Sequence, residues 1–233
     1  ACRGAAAPTA PPPALAASPT AAVSAVTIAE CAVDDRRWPT WGDPAACFGA
    51  DSTTGVDPIV YGQGEDGELQ LSFGGATYKV VNAGRPLPEV AVNTELPYVL
   101  SRDGRILARL SGRVEVDSPS RNLTSFGGHV SWEFDDGTTS TAIVDGEDVR
   151  RRYGVDAAFA PYSIGGHLVV MTRRAGRYAV LVDGERLGEE YDEVEIAYCC
   201  EAALFSILRS GGWYQFLAKR AGHQFHVAVR VGT

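Results

Sequence analysis

The sequence predicts an all-β protein assembled from repeated hairpins. The first observation is a repeat at a fixed interval. "SFGGH" at Ser125 to His129 returns as "SIGGH" at Ser163 to His167, "IVDGE" at Ile143 to Glu147 returns as "LVDGE" at Leu181 to Glu185, and Tyr153 returns as Tyr191, each 38 positions on. Three equal intervals mark one duplicated unit rather than chance dipeptides. The second observation is texture: runs of about six to eight residues, rich in Val, Ile, Leu and aromatics, are cut by glycine-containing turns, which suits strands and not helices. The third is turn chemistry, since the "DG" and "AG" pairs between runs supply the positive φ that tight hairpins need. Each unit therefore reads as strand, turn, strand, Asp-Gly turn, and a tyrosine-bearing segment leading into another strand.

Taken in order, residues 1–30 form a distinct segment. "ACRGAAAPTAPPPALAASPTAAVSAVTIAE" is almost entirely Ala, Pro, Ser, Thr and Val. The triple proline Pro11 to Pro13 excludes a continuous helix, because each ring removes a donor and restricts the residue before it. This composition predicts a flexible tether, PPII-biased around the prolines. The opening "AC" resembles the end of a bacterial lipobox, in which a small residue precedes the cysteine that receives lipid. That resemblance implies lipidation at Cys2 and export, with Ala1 removed. No stretch of the sequence approaches the ~20 apolar residues of a transmembrane helix.

Residues 31–57 lead from the tether into the folded region. Cys31 and Cys47 bracket "CAVDDRRWPTWGDPAAC". A disulfide between them closes a loop of about 15 residues and contributes roughly 3 kcal/mol in the chain-entropy model. It would pin a segment rich in turn residues. Trp38 and Trp41 lie inside that loop and are expected to pack, with an exposed recognition patch as the alternative. Cys199 and Cys200 are adjacent and read first as two reduced cysteines in a buried strand, since neighbours in a strand point to opposite faces, with a vicinal disulfide as the alternative. No C-x-x-C exists, so the usual zinc spacing is missing.

Residues 58–233 form the repeat domain. A third copy follows the two clear ones, with "SGGWYQFLAKRAGHQFHVAV" from Ser210 matching "SIGGHLVVMTRRAGRYAVLV" from Ser163. Upstream, "YKVVNAGRPL" at Tyr78 to Leu87 echoes "YAVLVDGERL" at Tyr178 to Leu187, and "YVLSRDGRILARLSG" from Tyr98 offers a further degenerate hairpin. The stretch "AFAPYSIGGHLVVMTRRAGRYAVLVDGERLGEEYDEV" resembles the WD40-like, or PD40 and TolB-type, β-propeller repeats. In it "AFAPYSIGGHLVV" stands where that family has a Phe-Ser-Pro-Asp-Gly turn before a strand, although the Pro-Asp-Gly itself is absent. "VLVDGE" and "YDEV" stand where the family often has Val-Asp-Gly and Tyr-Asp. The resemblance is clear over residues 125–233 and faint over 58–124. It implies a small β-propeller-like domain of about five blades, one blade to each unit of about 40 residues. The alternative architecture is a β-sandwich or an open β array with related hairpins.

Charge and motif content limit the function classes. A formal net charge of −8 disfavours nucleic acid and anionic membrane surfaces, both of which need clustered positive charge. His129 and His167 occupy equivalent repeat positions after Gly-Gly, which predicts a structural imidazole bonding backbone near each turn. His223 and His226 sit three apart in a strand-like run and should face opposite sides, a poor chelate, so no metal is expected. Asp145 and Asp183 read as hairpin turns. Trp132 and Trp213 lie in repeat strands and are expected in the core. There is no nucleophile elbow, P-loop or dinucleotide fingerprint, and no cofactor is expected. Carboxylates are the remaining catalytic candidates, because propeller glycosidases need two of them about 5 to 9 Å apart. Asp57, Glu65, Asp136, Asp192 and Glu193 are available for that role, with Asp192-Glu193 reading first as a turn.

These observations lead to one functional expectation and one alternative. The expectation is an exported, lipid-anchored, noncatalytic binding or scaffolding module, an accessory subunit of a cell-envelope assembly with a protein partner and no nucleic acid. The alternative is a carbohydrate-active propeller enzyme or lectin using Asp and Glu in a central pocket. Fold analogy carries both, and fold does not imply function.

Overall fold

The computed structural model describes residues 26–33, 47–49, 59–64, 68–83, 95–113, 120–135, 139–195, 207–210 and 212–231. Strand β1 (Val26–Val33) comes first, followed by the two-residue β2 (Val60–Tyr61). Strands β3 (Leu69–Phe73), β4 (Ala76–Asn82), β5 (Glu95–Arg102) and β6 (Arg105–Arg113) form an antiparallel sheet in chain order. Strands β7 (Ser120–Phe126), β8 (His129–Asp135), β9 (Ser140–Val144) and β10 (Glu147–Asp148) form a second, with β2 added beside β7. A short helix, α1 (Val149–Tyr153), leads to a third sheet of β11 (Ala157–Ile164), β12 (His167–Arg174), β13 (Arg177–Val182) and β14 (Glu185–Tyr191). The fourth contains β15 (Glu193–Val194), β16 (Leu208–Ser210), β17 (Trp213–Arg220) and β18 (His223–Val231). Strand β1 completes this last sheet, pairing antiparallel with β18 from Val26 opposite Val231 to Val33 opposite Gln224.

Period-two alternation decides which residues fill the interior. In β8, Val130, Trp132 and Phe134 point to one apolar cluster together with Leu71, Tyr78, Val80 and Leu100 of the first sheet. In β9, Ile143 joins that cluster, while Ala142 and Val144 on the opposite face meet Ala158, Val170 and Leu181 of the third sheet. Val169, Met171, Val180 and Val182 then turn their side chains the other way, onto Tyr214, Phe216, Val227 and Val229 of the fourth. The middle sheets are thus buried on both faces, and all eight residues of β11 are buried. The chain is all-β, with apolar clusters between successive antiparallel sheets.

Three details refine the expectations. Four antiparallel sheets form among the described residues. The first change is the upstream repeat alignment. "SFGGA" at Ser72 to Ala76 is the counterpart of "SFGGH" at Ser125, so β4 is the second strand of its sheet and not the counterpart of β13. Asp103-Gly104 is the matching Asp-Gly turn between β5 and β6. The Tyr78 and Tyr98 segments are therefore halves of one sheet. The second change is the tether boundary, because β1 begins at Val26, inside the stretch that composition assigns to the tether. Alanine and threonine conceal an alternating Val26, Ile28 pattern that becomes a strand once β18 is beside it. The third change is local. Tyr191 ends a seven-residue strand, whereas its repeat counterpart Tyr153 lies in α1. Gly188 in β14 has φ +75° beside a register shift, a conformation that suits glycine and not Arg150, its counterpart. Asp148 instead accepts from the backbone N–H of Arg150 and Arg151 and caps a helix.

Candidate functional site

The repeated Asp-Gly turns carry a common clasp. Asp103, Asp145 and Asp183 all have φ near +50°, at 49°, 52° and 51°, each followed by a glycine at positive φ. Their carboxylates accept the backbone N–H of Thr77, Val130 and Leu168 at 2.9, 2.9 and 2.8 Å. Their own N–H groups donate back to the carbonyls of the same three residues at 2.8 Å. Aspartate tolerates the left-handed region and bonds locally, which explains the choice of residue. His129 Nδ1 lies 2.8 Å from Asp145 Oδ2, and His167 Nδ1 lies 2.7 Å from Asp183 Oδ2. The imidazoles thus bond turn carboxylates and not backbone, a correction to the expected partner, while their structural role stands. The first sheet has Ala76 in the histidine position and keeps the aspartate, so the carboxylate is the constant part. In the fourth sheet Trp213 follows the Gly-Gly pair, and the Arg230 guanidinium stacks 5.1 Å from the centre of its ring.

A second recurring bond holds the Ala-Gly turns. Ala175 and Ala221 have φ of 50° and 52°. Their N–H groups donate to Asp156 and Asp192 carboxylates at 2.7 Å each. Asp192 also pairs with Arg177, and Glu193 accepts from Lys219 Nζ at 2.8 Å. The Asp192-Glu193 dyad is therefore engaged in turn and strand contacts. Asp57, Glu65 and Asp136 lie outside the described residues, as do Cys2, Cys199, Cys200, Trp38 and Trp41.

Cys31 and Cys47 form a disulfide with Cα atoms 5.7 Å apart. It fastens Phe48 over the outer face of the fourth sheet, where the ring meets Trp213 at 6.3 Å and His226 edge-on at 5.3 Å between centres. His226 is fully buried and His223 is exposed, on opposite faces as strand alternation requires. Burial holds the His226 imidazole down at a pKa of about 4, so it is neutral at pH 7. Trp132 is fully buried in the cluster between the first two sheets, and Trp213 is buried on the outer face of the fourth.

One buried ion pair joins three sheets. Arg209 Nη1 of β16 donates to Glu133 Oε1 of β8 and to the Pro161 carbonyl of β11, both at 3.2 Å. Glu133 Oε2 accepts from the N–H of Ala160 at 2.9 Å. Ala160 has φ +50° within the β11 irregularity, so the carboxylate steadies a strained backbone. Both side chains are at least 85% covered, at 12% and 15% exposure, which identifies a structural cross-tie rather than an accessible acid.

Among the described residues, a groove of about 720 Å³ lies between β6 and the β10–α1 corner. Ile106, Leu107 and Leu110 line one wall, and Gly146, Glu147 and Asp148 the other. Arg109, Arg151 and Arg152 stand along it. Arg152 pairs with Glu147 at 2.7 Å and Arg151 with Asp148 at 3.4 Å, while Arg109 is exposed and has no ion pair among the described residues. A smaller recess of about 240 Å³ adjoins it, with His129, Asp145, Arg152 and Tyr153 in its lining. No protein family, curated protein or solved structure matches the chain. These arginines belong to none of the repeat or site motifs of the sequence. The signal was nonetheless there, in "RRR" at Arg150 to Arg152 and in the spacing of Arg105, Arg109 and Arg113.

Proposed function

We propose that this chain is a noncatalytic binding or scaffolding module of the bacterial cell envelope, held by lipid on Cys2 and serving as an accessory subunit of a larger assembly. The observation that carries the proposal is the contrast between its polar side chains and its groove. His129, His167, Asp145, Asp183, Asp192, Glu193 and Glu133 are all engaged in holding turns and sheets. The groove beside β6 instead combines apolar wall and unpaired cation, the mixture found at protein recognition surfaces. The resemblance to WD40-like repeats supports the same reading, since propellers are common interaction platforms. The lipobox-like "AC" supports the anchor.

The test uses the native protein. Membranes crosslinked in the cell and solubilised in mild detergent should yield one partner at a reproducible ratio. Intact mass should show a diacyl or triacyl addition and loss of Ala1. An unmodified Cys2 with Ala1 retained rejects the anchor. Turnover of a polysaccharide or glycoside by the purified chain rejects the noncatalytic role.

A further inference from the structure

We infer that the groove beside β6 receives an extended, acidic segment of a protein partner, laid along the outer edge of β6 as an added strand. This rests on the binding-module reading above and gives it a surface and a ligand chemistry.

Charge placement is the first argument. The chain carries a net charge of −8, yet Arg109, Arg151 and Arg152 line one groove whose acids, Glu147 and Asp148, pair with Arg152 and Arg151 and leave Arg109 without an ion pair among the described residues. A local cationic stripe on an acidic molecule selects carboxylates at short range while the overall field repels a polyanion such as nucleic acid. Guanidinium groups suit this task, because each can hold a carboxylate through two parallel hydrogen bonds.

Backbone availability is the second. Strand β6 ends its sheet, and no described strand pairs with its outer side. From Ala108 to Arg113 it runs in unbroken register with β5, from Leu100 opposite Ala108 to Glu95 opposite Arg113. The register shift falls earlier, near Leu107, so this six-residue stretch offers a regular edge. An extended peptide gains affinity there from main-chain bonds and specificity from alternate side chains. Ile106, 47% exposed, together with Leu107 and Leu110, offers apolar contact for those alternate positions. A second copy of the chain is a poorer occupant. Its acidic edge strand β14, with Glu185, Glu189 and Glu190, is interrupted by the positive-φ Gly188.

The probe is a ten-residue peptide of alternating Glu and Val, acetylated and amidated, compared with its Lys-Val counterpart and a ten-nucleotide thymidine strand. The full chain should bind the Glu-Val peptide saturably, with slowed amide exchange within Ala108–Arg113. The Lys-Val peptide should bind about tenfold or more weakly, as should the thymidine strand. Arg109→Glu with Arg151→Glu, both at exposed positions, should lose binding by a similar factor without a change in melting temperature. No saturation with the Glu-Val peptide, equal binding of both peptides, protection elsewhere, or preference for the thymidine strand overturns the proposal. Self-association abolished by Arg109→Glu assigns the edge to a second copy and overturns it too. If the double variant still retains the native partner, this groove fails while the binding-module reading survives.

Discussion

Aspartate at left-handed φ is the residue-scale feature that repeats most faithfully here. Each turn carboxylate satisfies a strand N–H that would otherwise be left without a partner at the corner of a sheet. Histidine is an addition in two sheets, and its absence from the first shows that the turn does not depend on it. His226 behaves differently, since it is buried and uncharged under Phe48. In the unfolded chain an imidazole takes a proton near pH 6.5, whereas folded His226 resists until about pH 4. The unfolded state therefore binds more protons across that window, and stability falls as the pH drops from 6.5 towards 4. The expected slope from this residue reaches up to ~1.4 kcal/mol per pH unit. Urea titrations of the native chain and of His226→Leu at pH 7, 5.5 and 4.5 check it. The variant should show a flatter dependence, and equal slopes would reject a neutral buried imidazole. The strand pattern made the opposite orientations of His223 and His226 legible. The covering of one face by Phe48 was not, because that contact joins positions 178 apart in the chain.

Among elements, the hairpin is the unit on which the repeat is conserved, and packing against a neighbour is where the copies diverge. Gly146 and Gly184 occupy the same turn position, with φ of 88° and 92°. A β-branched residue at either carries backbone strain of order 1–3 kcal/mol. Their neighbours differ. A Cβ on Gly146 would approach Leu107 at 3.2 Å, and one on Gly184 would meet the Tyr153 ring at 2.4 Å. Identical "VDGE" sequences predict equal costs, but the surroundings predict unequal ones. Gly146→Val and Gly184→Val should both lower the melting temperature, with Gly184→Val the more damaging because an aromatic ring on a helix must shift. Calorimetry on the two variants tests this, and an equal or absent loss would count against the packing described. The contrast between β14 and α1 makes a similar point. The same repeat grammar ends in a strand where Gly188 permits a bulge, and in a capped helix where Asp148 and Arg150 replace Arg186 and Gly188.

For the whole molecule, the joining of the first strand to the last governs integrity. Strand β1 lies on β18, and Glu30 reaches past it to Arg220 through two bonds of 2.7 Å and accepts from the Tyr191 hydroxyl at 2.7 Å. Burial alone would raise the Glu30 carboxyl, but the guanidinium and the hydroxyl outweigh it and hold it below its usual value. The disulfide fixes the end of the same strand. Val26 faces the cluster between the last two sheets, while Thr27 is exposed. Val26→Asp should therefore destabilise by several kcal/mol, since it places an unpaired carboxylate among apolar groups. Thr27→Asp should change little, within about 0.5 kcal/mol. Chemical denaturation of both variants measures the difference. Similar losses would mean that β1 does not alternate between core and solvent as drawn.

The all-β class, the hairpin turns, the structural histidines and the Cys31–Cys47 pair were legible along the chain because each depends on residues close in sequence or on a short-period pattern. Turn φ, strand alternation and loop closure are local properties, and a 38-residue echo multiplies them. The number of sheets, the strand that closes the last one, the Glu133–Arg209 tie and the arginine-lined groove were not legible. Each depends on which distant surfaces meet: β1 is completed by a strand about 200 residues away, and Arg109 and Arg151 line one groove although they are distant in sequence. Local chemistry wrote the hairpins, whereas burial of their apolar faces against one another chose the partners and, among the described residues, placed the arginine-lined groove between β6 and α1.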